Sequence, residues 1–191
     1  MHRKLKNNEL GRLSTEEFKE AEKINVTVVL DNIRSQHNIG AAFRTSDSFL
    51  IEKVILCGIC ATPPTAEIHK SALGAEFSVE WEYFKETTDA IKALKQNCYT
   101  IISIEQAEDS IKLQEIEEEL RNCGDTEGNN LSGRKYALVF GNEVKGVQQE
   151  VVDMSDGVIE IPQFGTKHSL NISVSLGIVL WEFCKLLKIN R

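Results

Sequence analysis

The chain has 191 residues, of which 41% are hydrophobic and 27% charged, with twelve glycines and three prolines. That composition excludes low-complexity and collagenous classes and predicts one globular domain with its own core. No stretch approaches the roughly 18 uninterrupted apolar residues of a membrane span, and residues 1 to 12 lack the apolar centre of a signal peptide, so a cytosolic protein is expected. The net charge of −7 is at face value the wrong sign for a partner made of phosphates.

Ser14 followed by Glu17 is a capping-box pattern that opens a short helix through about Ile24, and residues 26–31 (VTVVLD) read as a buried strand. Asn38 can cap a helix with Ile39, Ala42, Phe43, Phe49 and Leu50 at helical spacing, followed by a strand over 53–57. Beyond Pro63 and Pro64 come a helical piece near Ile68 to Leu73, a strand around Phe77 to Trp81 and a helix from Thr88 to Gln96. The pattern continues with a strand at 98–103, a helix at 110–120, a Gly/Asn-rich mobile loop at 123–133 and a strand at 135–140. A strand at 158–161 halts at Pro162, and Ser169 to Leu187 forms a last long helix. That helix is apolar nearly all round, which predicts burial against the sheet and against a second subunit. Strands alternating with helices give an α/β domain with a mainly parallel sheet flanked by helices. Residues 1–24 stand apart as a basic arm and short helix, and 25–191 form the single domain.

The charge is unevenly spread. Between residues 105 and 130 nine acids oppose only Lys112 and Arg121, which accounts for the whole of the −7. The first twelve residues carry Arg3, Lys4, Lys6 and Arg12 against Glu9. These are either two solvated surface segments or a basic end that faces a polyanion and an acidic one turned away from it. The five cysteines, at 57, 60, 98, 123 and 184, make no disulfide framework. Cys57 and Cys60 form a CxxC with neither a second pair nor a following helix, and read as ordinary thiols at a strand end. The four histidines have no metal-ligand spacing, so no metal is expected. Dinucleotide, P-loop, zincin and nucleophile-elbow signatures are all missing from the sequence.

Polar residues instead collect where strands end, the edge at which open α/β sheets bind ligands. After the strand at 135–140, Gly141 permits close backbone approach to a ligand and Glu143 offers a hydrogen-bond acceptor, although a tight turn with a solvated glutamate would look the same. Ser169, Leu170 and Asn171 open the last helix, where free N–H groups await an acceptor or simply an N-cap. Arg44 lies in the helix after the first strand, three residues before Asp47, and could be half of an i,i+3 ion pair.

In this order NIGAAFRTSDSF (38–49), VFGNEVKGV (139–147) with DGVIEIPQFG (156–165), and SLNISVSLGIVLWE (169–182) resemble the three motifs of the SpoU/TrmH-like RNA 2′-O-ribose methyltransferases of the SPOUT superfamily. KSALGAEFSVEW (70–81) and IEQAEDSIKL (104–113) belong to the same resemblance, which spans about Val26 to Phe183. It implies methyl transfer from S-adenosylmethionine to a ribose hydroxyl of structured RNA, tRNA or rRNA, by a homodimer. Asn38 and Arg44 then look like the motif-1 pair, with the arginine at the reacting ribose. Glu143 looks like the motif-2 glutamate, and Ser169 with Asn171 like the motif-3 polar pair. Gly141, Ile161 and Leu170 look like backbone contacts to S-adenosylmethionine. The resemblance also implies a deep trefoil knot in the C-terminal half, against the general rule that chains do not thread loops.

Ser175 followed by Leu176 departs from the two small residues that relatives often carry in the last helix. Basic material beyond the arm is limited to Lys185, Lys188 and Arg191, which leaves the RNA open. Two other classes compete: a knotted RNA-binding protein without catalysis, and a flavodoxin-like nucleotide binder resting only on the α/β alternation and the acidity.

Overall fold

The computed structural model describes residues 2–6, 9–122 and 131–189. Seven parallel strands form one sheet: β1 (Ile24–Asp31), β2 (Ile51–Cys57), β3 (Glu80–Phe84), β4 (Tyr99–Ile104), β5 (Ile111–Lys112), β6 (Lys135–Phe140) and β7 (Gly157–Glu160), in the order β3-β2-β1-β6-β4-β7-β5. The centre is the most apolar part. On β1, Val26, Val28 and Leu30 face one layer of helices and Val29 the other, and on β6, Tyr136, Leu138 and Phe140 alternate with Ala137 and Val139 in the same way. Continuous apolar runs are what a strand covered on both faces requires.

The first layer contains α2 (Gln36–Ser48), α3 (Ala66–Ala72), α4 (Ala75–Ser78) and α8 (Ile172–Cys184); the second contains α5 (Thr87–Gln96) and α7 (Gln149–Asp153). Two further α-helices among the described residues are small, α1 (Thr15–Glu20) before the sheet and α6 (Ile116–Asn122) after β5. Helix α8 is fastened by Phe183, which meets the Tyr136 ring edge-on at 5.5 Å, and by Trp181, whose ring lies 6.1 Å from that of Phe49 at the end of α2. Its inward residues Leu176, Val179, Leu180 and Phe183 are fully buried, whereas Val174, Ile178 and Trp181 remain exposed. With Leu170 just before the helix, these form one stripe at spacings of four, four and three.

The capping box at Ser14 and Glu17 is formed in both directions. Several expected boundaries move. Ser35, not Asn38, caps α2, accepting from Asn38 N–H at 3.3 Å, and Asn38 is drawn into the first turn and buried. The strand expected around Phe77–Trp81 is half helix, because Gly74 with φ +97° restarts the chain into α4 and pairing with β2 begins only at Glu80. The helix expected over 110–120 begins as the two-residue strand β5, because Ile111 finds Ile159 of β7 as its neighbour. Helix α8 starts three residues late, at Ile172, so Ser169 and Leu170 lie in the loop before it. Helix α7 was not expected. Of the anticipated mobile loop, 123–130 lies outside the described residues, and Leu131–Gly133 is a single 3-10 turn.

Candidate active site at the carboxyl edge of the sheet

From β1 the chain runs outward through β2 to β3, and after β3 it returns to fill the other side of β1. That change of direction leaves a crevice beyond the strand ends. A cleft of about 510 Å³ opens there, past Ile104 of β4, Phe140 of β6 and Glu160 of β7. It has the size of a small-molecule site.

Its first wall is the turn after β6. Asn142 and Gly146 exchange backbone hydrogen bonds at 3.0 and 2.9 Å, and the Asn142 side chain accepts from Val144 and Lys145 N–H while donating to the Asn32 carbonyl at 2.6 Å. Gly141 fits inside this turn with nothing to spare. A Cβ there would stand 2.0 Å from Val147 N and 2.1 Å from Gly146 C, both backbone atoms. The structure gives Gly141 a further reason: its missing side chain makes room for the chain's own turn, and its backbone lines the cleft.

Glu143 is held across the cleft mouth. One carboxylate oxygen accepts from Arg34 N–H at 3.1 Å; the other accepts from Ser35 N–H and the Asn38 side-chain amide, each at 3.1 Å. Burial would raise its pKa, but the hydrogen bonds from its own backbone, Arg34 N–H, the Asn38 amide and Ser35 N–H outweigh that and hold it below the usual carboxylate range. Asn38 in turn accepts from the Asn171 amide at 3.4 Å, and Asn171 caps α8 by accepting from Ser173 N–H at 2.9 Å. Three expected residues from three distant segments thus form one polar clasp. Glu143 is exposed and sits in a tight turn, but its carboxylate is committed to three donors, and the capping reading of Asn171 holds together with its place in the clasp.

Ser169, Leu170 and Ile161 line the opposite wall, in the connection from β7 to α8. Arg44 does not line the cleft: it is exposed on α2, six residues or roughly 9 Å along the helix from Asn38. The alternative ion pair is also not formed, because Asp47 accepts from Ser78 Oγ at 2.5 Å and Arg44 has no carboxylate partner among the described residues. Glu105 and Gln106, at the start of the acidic stretch that carries the net charge, are cleft residues. Glu105 accepts from Val147 N–H at 2.9 Å, and Gln106 donates to the His168 carbonyl at 3.3 Å. Their partners are backbone atoms 42 and 62 residues away, and no local pattern encodes such pairs. The IEQ tripeptide was the one available signal.

Cys57 and Cys60 behave as expected of ordinary thiols. Burial pushes them up to about 12 and about 11, respectively, so neither presents a thiolate at neutral pH. No helix among the described residues is long and apolar enough to cross a membrane.

A parallel sheet flanked by helices, with a cleft walled by the loops after β4, β6 and β7, defines the class: an α/β protein with its candidate site at the carboxyl edge of an open parallel sheet. The chain belongs to the SpoU rRNA Methylase family, whose model matches residues 25–181. It is 28% identical over 177 residues to the tRNA (guanosine(18)-2′-O)-methyltransferase of Thermus thermophilus, covering 91% of this chain and 81% of the relative. The fold matches the crystal structure of the Aquifex aeolicus TrmH/SpoU tRNA modifying enzyme with a TM-score of 0.75 at 22% identity, over 92% of this chain and 83% of that one. It also matches an AdoMet-bound rRNA methyltransferase from Sinorhizobium meliloti with a TM-score of 0.72 at 23% identity, over 89% of this chain and 60% of that one.

Proposed function

We propose that this protein methylates a ribose 2′-hydroxyl of structured RNA, tRNA or rRNA, with S-adenosylmethionine as the methyl donor. The observation that carries the reading is the clasp of Asn38, Glu143 and Asn171 at the mouth of the cleft, which joins the three motifs of an RNA 2′-O-methyltransferase in one hydrogen-bonded unit. The residues present fit the cofactor. The cleft is of nucleoside size, its apolar side chains Phe140, Ile161, Leu170 and Ile172 suit a base, and the backbone at Gly141 supports polar contacts. When bound, S-adenosylmethionine supplies an electrophilic methyl group.

Gly141, Ile161 and Leu170 hold the cofactor, and Glu143 and Asn38 keep the turn after β6 fixed to the start of α2. Ser169 and Asn171 orient the target nucleotide. Arg44 acts on the attacking oxygen. A guanidinium does not give up its proton in a protein, so its part would be to stabilise the alkoxide character of the oxygen as the 2′-hydroxyl loses its proton to solvent and takes the methyl group, with S-adenosylhomocysteine as the leaving group.

The protein works as a homodimer packed on the exposed stripe of Leu170, Val174, Ile178 and Trp181, where burial would remove apolar area at about 25 cal/mol per Å². Arg44 standing outside its own chain's cleft fits a site that pairing completes. The connection from β7 to α8, bonded through His168 to the loop after β4, is the segment that would take part in the trefoil knot. Residues 25–191 act as one catalytic domain in the cytoplasm, with the basic arm at 1–12 turned toward RNA and the acids from Glu108 to Glu119 turned away.

Calorimetry tests the cofactor: S-adenosylhomocysteine should bind, while flavin and nicotinamide nucleotides should not. Mapping ribose methylation in RNA from cells with and without the protein tests the reaction. An unchanged map would overturn it.

A further inference from the structure

Among the described residues three carboxylates line the cleft, and two of them are already committed, one to the clasp and one to a cation. Glu143 takes its three donors in the clasp. Glu160 is ion-paired with Lys112 and accepts from Ser110 Oγ at 2.9 Å. Glu105 differs. One of its oxygens accepts from Gln106 N–H and the other from Val147 N–H, both at 2.9 Å, and no cation pairs with it among the described residues. A carboxylate has about four acceptor positions. Two are filled by backbone, one on each oxygen, which aims the group and leaves a second acceptor position on each.

The surroundings fix that aim. Gly146, at φ +70°, has no Cβ; one would stand 2.1 Å from the Glu105 Oε2 oxygen, so the turn after β6 is shaped around this carboxylate. Glu105 and Glu143 hold different legs of that turn, through Val147 and Glu143 itself, so Glu105 serves the wall formed by β4 rather than the polar clasp.

We propose that Glu105 binds the cofactor's ribose, its two oxygens accepting from the vicinal 2′- and 3′-hydroxyls. This rests on the reading of the cleft as an S-adenosylmethionine site. Two oxygens side by side, each with one acceptor position left, match two adjacent O–H donors. An acidic side chain just past the end of a parallel strand takes ribose hydroxyls in the same manner in dinucleotide-binding sheets. The IEQ segment thereby gains a role: Glu105 reads the sugar, and Gln106 ties the β7–α8 connection down beside it.

The experiment is a binding cycle by calorimetry on the full chain, with S-adenosylhomocysteine and its 2′,3′-dideoxy analogue, on wild type and Glu105→Ala. Wild type should prefer the natural ligand by about tenfold to a hundredfold, as for hydrogen bonds to a charged acceptor. Glu105→Ala should lower that preference to within a few-fold. A purely structural Glu105, acting only on Val147, would weaken both ligands equally and leave the preference intact, which overturns the proposal. 5′-Methylthioadenosine, which keeps the diol but has no amino-acid part, should lose affinity in the variant as well; if it does not, Glu105 contacts the amino group instead and the proposal fails. Should Glu105→Ala not fold, Glu105→Gln keeps the side chain's volume, and the same collapse of preference is expected. Failure of wild type to bind S-adenosylhomocysteine would reject the cofactor reading itself, whereas binding without preference for the diol would reject only this proposal.

Discussion

Replacing Gly141 by alanine adds a single methyl group at the most crowded point of the site. The new carbon would stand 2.0 Å from Val147 N, 2.1 Å from Gly146 C and 2.5 Å from Gly146 O. All three are main-chain atoms, so no rotamer change relieves the overlap. Relief requires the far leg of the turn to move by more than 1 Å, because ordinary contact begins at about 3.4 Å. The paired bonds between Asn142 and Gly146 and the bond from Val147 N–H to Glu105 lie in that path. Overpacking of this kind costs about 1 to 3 kcal/mol. For a chain of this size that corresponds to a melting point lower by about 2 to 12 °C. Because the moved leg lines the cleft, affinity for S-adenosylhomocysteine should fall by about five- to a hundredfold. Gly165 supplies the control: nothing lies within 4 Å of a Cβ built there, and Gly165→Ala should leave both quantities unchanged. Thermal unfolding and calorimetry on the two variants provide the test. If Gly141→Ala melts and binds like wild type, the turn is more compliant than its hydrogen bonds indicate and the reasoning is wrong.

Arg44→Ala should keep cofactor affinity while single-turnover methyl transfer drops by roughly a hundredfold to a thousandfold, and Arg44→Lys should recover little because it lacks the planar fork; a defect confined to cofactor binding would refute that role. The Glu143 pKa is lowered by folding, so its contribution is complete above the ordinary carboxylate value of about 4.3 and fades as pH falls through the lower folded value. Glu143→Gln should therefore reduce the melting point at pH 7 and lose that deficit under acid, a difference that a melting series across pH would reveal. Ile178→Asp with Trp181→Asp should convert particles of twice the 21.5 kDa chain mass into single chains by light scattering; a wild type that is already monomeric at micromolar concentration would refute the stripe as the seam.

The alternation of strands and helices was legible because the central strands are short and rich in Val, Ile and Leu, with five apolar residues in a row in β6, while α2 and α5 keep helical spacing. What failed was decided by tertiary neighbours. Residues 77–81 carry strand-forming types, yet Phe77 is helical because Gly74 takes a left-handed conformation that starts α4. Residues 111–112 pair with β7 only because that strand passes beside them. Site residues were readable as types but not as partners. Asn38 was read as a cap, a role that Ser35 performs, and its place in the clasp depends on groups 105 and 133 residues away. Glu105 was grouped with the acidic stretch, since nothing in its neighbourhood announces Val147.

The strand order also bears on synthesis. Chain growth delivers β1, β2 and β3 first, and they can pair in that order at once, but the other edge of β1 waits for β6, more than a hundred residues later. Until Lys135–Phe140 leaves the ribosome, Val26 to Leu30 present an unpaired apolar edge, the kind of surface that recruits other chains. The cleft forms later still, because its last wall is the segment before α8. A nascent chain therefore gains no help from ligand while that edge is bare.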